Sequence, residues 1–465
     1  MSASTPFPPT PQFDTREQTV QSGNTILIRL PNGDTKAVKI DKDSTVSLGR
    51  LGGFHANELL NEPFGRTYDI VDKKLTLVPP RTLAEVGRFF PEDTDATNEL
   101  INDGEFVQPL TLEEIQALKQ SGAHASEIIK MQIEQHANYS LKTEYSKEKY
   151  KKRKEAKYSK TFTTIEPTLF NVCDYWFKKD QARIRDIRVD ALSQILNLAN
   201  IRPGGRYIAV DDASGVLVSG ILERMGGLGR LITICNIDSP PPYPVMVNMN
   251  FKSETVTPVL SSLNWATAQR DHTPLVPPVD VPSDQIKSER QKSRLNKRKA
   301  ATDLLNGTRE DLFAGEFEAL IVASDYEPFS ILERLVPYLA GSASIVVQSP
   351  YVQVLSDLHT KLRALPGYLC PSVTEVWLRR YQVLPGRTHP TMNTSGSGGF
   401  ILHAIKVYVS RLCGSTRVDL GVRYNDENAN AITSHRRPKA SASNSSNGVS
   451  TVVAADVAMA DADDD

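Results

Sequence analysis

RYIAVDDASGVLVSGILERMGGLGRLITIC, residues 206–235, is the stretch that decides the fold of this chain of 465 residues. Residues 206–210 (RYIAV) and 230–235 (RLITIC) are mostly apolar after an initial arginine, which is typical of buried strands. Residues 216–225 between them have the length and periodicity of a helix, which Gly226-Gly227 is expected to end. The order strand, helix, strand predicts a βαβ unit with two parallel strands.

The same alternation continues on both sides of that unit, over residues 188–424. The predicted elements are helix 189–199 before the unit and, after it, strand 319–324, helix 331–339, strand 343–348, helix 351–364 and an antiparallel pair at 374–384 and 399–409. A mostly parallel sheet that ends in an antiparallel pair is the arrangement of class I methyltransferases. We therefore expect a C-terminal Rossmann-like methyltransferase domain at 188–424.

The first half of the chain has a different pattern. Residues 24–105 contain short alternating strands, of which 25–30 and 35–40 flank the turn sequence Pro31-Asn32-Gly33-Asp34. They predict a small β-barrel-like domain. Residues 106–187 are helical in periodicity, beginning with the capping-box pair Thr111 and Glu114, and predict a basic helical linker. The expected fold class is α/β plus β.

Three segments have too little apolar periodicity to form a core of their own. Residues 1–23, rich in Pro, Ser and Thr, are expected to form a flexible leader, and residues 425–465 a disordered acidic tail. Residues 253–310 are expected to form a long exposed insertion within the C-terminal domain.

The composition argues against several classes of protein. Hydrophobic residues make up 40% of the chain and charged residues 23%, and no run of about 18 apolar residues exists to span a bilayer. The four cysteines and eight histidines lack metal-ligand spacing, and neither a Walker loop nor a nucleophile elbow is present. Because the formal net charge is −1, any nucleic-acid partner must be held by local basic patches.

The loop after the first strand, Asp211-Asp212-Ala213-Ser214-Gly215, keeps an acidic strand end but lacks the glycines of a cofactor site. A class I methyltransferase holds S-adenosylmethionine against a glycine-rich turn, where side chains would take the cofactor's place. The second strand ends at Cys235-Asn236 rather than in a carboxylate, and a proline-rich segment at 240–244 leaves little room for a following helix. We predict no catalytic residue and no cofactor site in this chain.

Asp325 and Glu327 follow the strand beside which a methyltransferase meets its target base. Either carboxylate is chemically able to take a proton from an adenine amino group. Without an intact cofactor loop, a role in capping the next helix is the favoured interpretation.

The segment KEKYKKRKEAKYSK, residues 147–160, contains eight Lys or Arg and only two Glu. If it is helical, charges surround the helix, which predicts a surface for a polyanion, with Tyr150 and Tyr158 placed to pack on riboses or bases. A solvated helix or a localisation signal is the alternative. The candidate RNA-binding residues are Lys147, Lys149, Tyr150, Lys151, Lys152, Arg153, Lys154 and Lys157.

Further basic clusters accompany this segment. Two of them are expected to extend the RNA-binding surface, and they comprise Lys178, Lys179, Arg183 and Arg185 before the α/β domain and Arg379, Arg380 and Arg387 near its end. A third contains seven Lys or Arg between residues 287 and 299. Its core, residues 294–299, has the composition of a nuclear localisation signal and predicts a nuclear protein, with direct RNA contact as the alternative.

Several of these segments together resemble the non-catalytic subunit of the eukaryotic tRNA 1-methyladenosine methyltransferase. The stretches concerned are residues 145–158 (YSKEKYKKRKEAKY), residues 192–227, which contain the loop described above, and residues 380–402 (RYQVLPGRTHPTMNTSGSGGFIL). The resemblance is collinear from about residue 24 to residue 410.

The resemblance implies an N-terminal β-barrel domain joined to a degenerate methyltransferase fold, paired with a homologous catalytic subunit in a two-plus-two heterotetramer. S-adenosylmethionine is then expected in the partner subunit and not in this chain. This chain would help to hold tRNA so that an adenosine of the T-loop reaches the partner's active site. The residues alone leave two alternatives open, a self-sufficient methyltransferase that uses Asp211, Asp238 or Asp325, and a general RNA-binding scaffold.

Overall fold

The structure is a computed structural model that describes residues 18–78, 111–120, 125–135, 139, 144–237, 241–273, 288–384, 387–392 and 397–408. Most of the predicted leader and all of the predicted acidic tail lie outside these residues, as does Asp238.

The N-terminal part contains an antiparallel sheet of five strands in the order β2-β1-β7-β5-β6. Its strands are β1 (Thr25–Arg29), β2 (Thr35–Lys39), β5 (Thr67–Val71), β6 (Lys74–Val78) and β7 (Thr161–Ile165), and a separate pair is formed by β3 (Thr45–Ser47) and β4 (Gly53–His55). The predicted hairpin between β1 and β2 is confirmed, with Gly33 at φ +89° in its turn. Closure of the sheet into a barrel stays a prediction.

The central strand of this sheet comes from the segment predicted to be a helical linker. β7 pairs with β1 on one side and β5 on the other, and Phe162 stacks on Phe54 with 5.1 Å between ring centres. The prediction of a helical linker over 106–187 is therefore wrong at residues 161–165. The strand exists because partners about 90 or more residues away supply its hydrogen bonds, and local periodicity does not show them.

Among the residues that the structure describes, three α-helices precede β7: α1 (Leu112–Gln120), α2 (Ala125–Glu134) and α3 (Glu144–Tyr158). The predicted capping box is confirmed, since the Thr111 N–H donates to the Glu114 carboxylate at 2.9 Å and the Glu114 N–H to the Thr111 hydroxyl at 3.3 Å. The helices share a small apolar core of Ile115, Ile128 and Tyr158. This core fixes α3, the helix with the highest density of positive charge.

The C-terminal part contains a sheet of seven strands in the order β10-β9-β8-β11-β12-β16-β13. Its strands are β8 (Arg206–Asp211), β9 (Arg230–Cys235), β10 (Leu260–Asn264), β11 (Phe317–Ala323), β12 (Leu339–Ser349), β13 (Tyr368–Glu375) and β16 (Phe400–Lys406). Six of these strands run parallel to one another, and β16 runs antiparallel to them. Numbered along the chain, the order is 3-2-1-4-5-7-6, which confirms the predicted class I methyltransferase-like sheet.

Helices cover both faces of this sheet, over two apolar clusters of buried residues. They are α4 (Leu169–Lys179), α5 (Val189–Leu198), α6 (Val216–Met225), α7 (Pro244–Met249), α8 (Ser253–Val256), α9 (Glu289–Ala314), α10 (Pro328–Leu335) and α11 (Val352–Ala364). Gly226 ends α6 in the left-handed conformation, as predicted. The Asn250 side chain bonds to both backbone groups of Thr25, which ties the N-terminal sheet to this domain.

Two predicted elements of this domain are wrong. Residues 253–310 are not simply an exposed insertion, because they supply the edge strand β10 and the long helix α9. The predicted antiparallel pair of 374–384 with 399–409 is confirmed where residues 374 and 375 at the end of β13 pair with β16, but residues 381–384 belong to a separate pair, β14 (Tyr381–Leu384) and β15 (Arg387–Pro390). The register of β13 shifts between Leu369 and Ser372, where Cys370 has φ +49°, so the strand lacks a regular alternation.

Candidate functional site

The loop that follows β8 is closed by its own acidic residue. Asp211 is 7% exposed, and its carboxylate accepts backbone N–H bonds from Ala213 at 2.9 Å, Gly215 at 3.2 Å and Val218 at 2.9 Å. Because Val218 lies in the first turn of α6, the same carboxylate closes the loop and caps the helix. Burial raises the pKa of Asp211 to about 6, although the three hydrogen bonds oppose that change.

Tyr243 covers the one glycine that the loop retains. The tyrosine is 4% exposed, and a Cβ placed on Gly215 would lie 2.7 Å from the Tyr243 Cβ and 2.8 Å from its ring. Gly215 has φ +88°, which disfavours any residue with a side chain. Burial, reinforced by the charge of Asp211, raises the pKa of the Tyr243 hydroxyl. The ring is thus packed against the loop.

This geometry does not fit S-adenosylmethionine. A class I cofactor site needs exposed backbone at the turn, because the cofactor lies directly against it. Here Ala213 is fully buried, and the Ser214 hydroxyl donates to the Arg183 carbonyl at 3.1 Å. With Tyr243 on Gly215, the protein's own side chains cover the backbone that a cofactor would need.

The neighbouring acids are also paired within the protein. Asp212 accepts a hydrogen bond from the Ser324 hydroxyl at the end of β11. Glu327 accepts the Ser330 N–H at 2.6 Å, which confirms the predicted helix cap, and pairs with Lys361 at 2.9 Å. Slight burial raises the pKa of Glu327, but these contacts outweigh it and hold the pKa below its usual value.

Arg185 lies at this edge of the sheet with its side chain largely buried. Its side chain is 9% exposed and forms an ion pair with Asp325. Burial lowers the pKa of Arg185, and the charge of Asp212 opposes that change. The backbone of Arg185 is left-handed, at φ +53°. Arg185 is thus less exposed than the other cations predicted to contact tRNA, and its contact with tRNA stays a prediction.

The predicted basic helix is α3, and three of its cations form one outer stripe. Lys149, Arg153 and Lys157 are exposed and follow one another at intervals of four residues, which places them on the same face of the helix. We call these three residues the α3 stripe. Lys151 and Lys152 also lie on α3, although their side chains are outside the described part of the chain.

An adjacent face of α3, about 100° around the helix from the stripe, is anchored to α2. Tyr158 is 7% exposed and accepts a hydrogen bond from the Gln132 side chain at 3.2 Å. Lys154 Nζ lies 5.0 Å from the ring centre of Tyr150. Burial raises the pKa of Tyr158, but the Gln132 bond and the charges of Lys154 and Lys157 outweigh it, so the pKa is lowered. Tyr158 therefore supports the helix and is not exposed for stacking on RNA, contrary to the sequence prediction.

A similar ring contact involves the first cation of the segment. Lys147 Nζ lies 6.0 Å from the ring centre of Tyr139, and that ring packs edge-on against Tyr150 at 5.9 Å. Tyr150 is half-buried between these groups. The inner face of α3 is thus organised by aromatic rings that lie beneath lysines.

Basic residues before and after the α/β domain meet at one carboxylate. Asp174 on α4 is 17% exposed and pairs with both Lys178, at 2.8 Å, and Arg380. Arg379 beside it is exposed. Residues 206 positions apart thereby share one surface, a proximity that the sequence did not predict. Arg387 begins β15, but its side chain is outside the described part.

Trp176 holds two further cations on this surface. Lys179 Nζ lies 4.5 Å, and the Arg183 guanidinium carbon 5.6 Å, from the Trp176 ring centre. The indole is 4% exposed and donates to the Asn248 side chain at 2.8 Å, which fixes its orientation. We call this surface the α4 patch, and it comprises Lys178, Lys179, Arg183, Arg379 and Arg380.

Sequence inspection missed Trp176 and Tyr243, because neither lies in a recognisable motif. Tyr243 follows a run of prolines that was expected to leave little room for a helix. Instead α7 begins at Pro244, and the Val245 N–H donates to the Ser214 carbonyl at 3.2 Å. This bond brings Tyr243 over the loop, so only the tertiary contact identifies its role.

The described residues contain no group of three or more His, Cys, Asp or Glu placed to hold a metal ion. Burial raises the pKa of the Cys173 thiol to about 12, so this cysteine is a poor ligand and nucleophile at neutral pH. Within the same residues, no helix is both long and apolar enough to cross a membrane.

Comparison with known proteins identifies the family. The model of the Gcd10p family matches residues 19–302. Two similar proteins are each named tRNA (adenine(58)-N(1))-methyltransferase non-catalytic subunit TRM6. The one from Debaryomyces hansenii is 27% identical, over 88% of this chain and 91% of its own length. The one from Eremothecium gossypii is 31% identical, over 82% of this chain and 91% of its own length.

Among solved structures, the tRNA methyltransferase TrmI from Aquifex aeolicus aligns with a TM-score of 0.42 and 11% identity, over 84% of this chain and 99% of its own. The family match spans more than half of the chain, and it agrees with the sequence identity to the two TRM6 proteins. This chain belongs to the Gcd10p family.

Proposed function

We propose that this chain is a non-catalytic, tRNA-binding subunit of a tRNA adenine N1-methyltransferase complex. It positions a T-loop adenosine for methylation by a homologous catalytic subunit, which holds S-adenosylmethionine. The observation that carries the proposal is the loop covered by Tyr243, in a chain that also presents the α3 stripe. The names of the similar TRM6 proteins support it.

The absence of catalysis follows from the loop. Asp211 is fully engaged by three backbone N–H groups, and Asp325 is paired with Arg185. Asp211 is therefore not left to orient a cofactor, and the exposed Asp325 side chain lies beside a loop whose backbone Tyr243 covers. A self-sufficient methyltransferase built on these residues is therefore disfavoured.

The proposed binding of tRNA rests on local positive charge. Each phosphate that a cation neutralises releases counterions, so a stripe of exposed Lys and Arg adds salt-dependent affinity without reading sequence. The α3 stripe and the α4 patch supply such cations on supports held by Tyr158 and Trp176. Anchored helices lose less conformational freedom on binding than a disordered basic tail would.

The retained methyltransferase-like sheet supports pairing with a homologous subunit, because related folds commonly assemble through equivalent surfaces. The two-plus-two stoichiometry implied by the family resemblance and the nuclear location expected from residues 294–299 are part of the proposal.

The test replaces the α3 stripe in the assembled complex by Lys149→Gln, Arg153→Gln and Lys157→Gln. We expect the slope of log affinity for tRNA against log salt to fall by about 2 to 3, since each lost phosphate contact removes about 0.7–0.9. The charge-preserving variant Lys149→Arg, Arg153→Lys, Lys157→Arg is the matched control and should keep the slope. An unchanged slope in the Gln variant contradicts the assignment.

Calorimetric titration of the same complex with S-adenosylmethionine addresses the rival functions. The proposal predicts one cofactor site for each pair of subunits, whereas a self-sufficient methyltransferase predicts two. Competition between tRNA and an unrelated RNA of equal length at physiological salt tests the general scaffold, which predicts equal affinities.

A further inference from the structure

We propose that the exposed half of α9 is a second RNA-contacting arm, whose ligand is the phosphate backbone of the tRNA held by the complex. We call residues 289–304 the α9 arm. The inference rests on the proposed function, because it takes the RNA of that function as the ligand of the arm.

The α9 arm stands clear of the domain that carries it. Residues 288–304 are exposed, apart from Leu295 and Thr302, which are half-buried. Leu295 and Thr302 are seven residues apart and so lie on one face of the helix, and the described chain leaves the other faces exposed. At 1.5 Å per residue the arm is about 24 Å long.

The other end of α9 is firmly anchored. Thr308, Arg309 and Leu312 are buried. The Arg309 guanidinium donates to the carbonyls of Gln269 at 3.1 Å and His272 at 2.9 Å. The arm is therefore a helix fixed at one end, which projects its charges at a defined place.

The cations of the arm are arranged by face. At about 100° per residue, Arg290, Arg294, Lys297 and Arg298 fall within about 100° of arc and form a stripe about 12 Å long. Lys292 and Lys299 fall on the opposite side. Glu289 and Asp303 are the acids between residues 289 and 304, so the arm is strongly basic. Such a stripe complements successive phosphates of a nucleic-acid backbone.

The helical conformation favours RNA over a linear localisation signal. A signal bound in extended form presents successive side chains to alternate sides. Residues 294–299 instead lie in the middle of α9, where their side chains are distributed around the helix. A receptor for an extended signal would have to unwind this part of α9, whereas a phosphate backbone can bind the stripe as it is folded.

The test compares two charge-matched variants of the full complex, Arg294→Gln with Arg298→Gln on the stripe, and Lys292→Gln with Lys299→Gln on the opposite face. The dissociation constant for tRNA is measured across a range of salt concentrations. We expect the stripe variant to lower the salt slope by about 1.5, and the opposite variant to lower it by less than half as much. Equal effects, or none, overturn the proposal.

A third variant tests the helix itself. Asn296→Pro keeps every charge but interrupts α9, so tRNA affinity should fall toward that of the stripe variant. Unchanged tRNA affinity in the Asn296→Pro variant overturns the helical arm. The proposal is also overturned if the stripe variant loses nuclear accumulation but keeps its tRNA affinity. The α3 stripe variant distinguishes the failure of the arm from the failure of the proposed function. The proposed function fails if the wild-type complex does not bind tRNA, or if the α3 stripe variant binds tRNA normally.

Discussion

The end of β8 and the outer face of α3 both carry ionisable side chains, but these side chains have opposite surroundings. Asp211 is buried and accepts three hydrogen bonds from its own loop. Lys149, Arg153 and Lys157 are exposed along one face of their helix. The buried acid is part of the fold, whereas the exposed cations are available to another molecule.

This contrast separates the part of the methyltransferase-like fold that is closed by its own side chains from the part that is open to a partner. Covering the loop backbone with Tyr243 removes the surface that the cofactor needs, while the sheet beneath stays intact. Exposed cations on helices outside the sheet form a separate surface that is available to another molecule. Substitutions in the loop are therefore expected to change stability and not RNA affinity. Substitutions on the basic surfaces are expected to change RNA affinity and not stability.

The largest expected effect is that of Gly215→Ala. The added Cβ meets Tyr243 at 2.7 Å in a residue with φ +88°, so we expect the free energy of unfolding to fall by about 2–5 kcal/mol. Urea denaturation measures the loss. Gly226→Ala is the control, since Gly226 has φ +61° with nothing within 4 Å of its Cβ position, and should cost only about 1–2 kcal/mol. Equal losses at the two glycines would contradict the packing of Tyr243 on the loop.

Asp211→Asn is expected to change the pH dependence of stability. The pKa of Asp211 is raised from 3.8 to about 6 in the folded protein, so the unfolded state loses its proton first as the pH rises. Below about pH 4 the proton on Asp211 adds up to about 3 kcal/mol to the free energy of unfolding. This stabilisation is lost as the pH rises to about 6. The asparagine variant should lack this decrease. Urea denaturation of both proteins from pH 4 to 7 measures this decrease. If the free energy of unfolding changes with pH in the same way in both proteins, the raised pKa of Asp211 is contradicted.

Tyr158→Phe should have a smaller effect, at the support of the basic helix. It removes the hydroxyl that accepts the Gln132 bond, which lowers the free energy of unfolding by about 1 kcal/mol. Affinity for tRNA should stay within about twofold, because the phenol lies in the core shared with α2. Fluorescence titration with tRNA checks this, and a large loss of affinity with normal stability would place Tyr158 at the RNA instead.

Lys179→Gln should have the smallest effect. Loss of one exposed cation of the α4 patch is expected to weaken tRNA binding about two- to fivefold, or about 0.5–1 kcal/mol, without changing stability. Lys179→Arg, which keeps the charge over Trp176, is the control. A Gln variant that destabilises the protein but binds tRNA normally would assign Lys179 to the fold.

Much of the C-terminal fold was predictable, because its buried strands and its glycine-ended helix leave strong local patterns. Residues 206–235 show this, since β8, α6 and β9 lie where the sequence placed them. β7 and β10 were missed because short strands at a sheet centre or edge depend on partners far away in the chain. The same reason explains Arg185, whose basic character is visible in sequence but whose burial beside Asp325 is not.

The sequence by itself determined the βαβ unit, the loss of the glycine-rich turn and the concentration of charge in α3, because these depend on residue type and short spacing. The tertiary structure decided which charges are used inside the protein and which face outward. It placed Tyr243 on Gly215, joined Lys178 and Arg380 at Asp174, and left the α9 arm exposed. Burial and pairing arise from contacts between distant parts of the chain, and they convert the same residue types into either structure or binding surface.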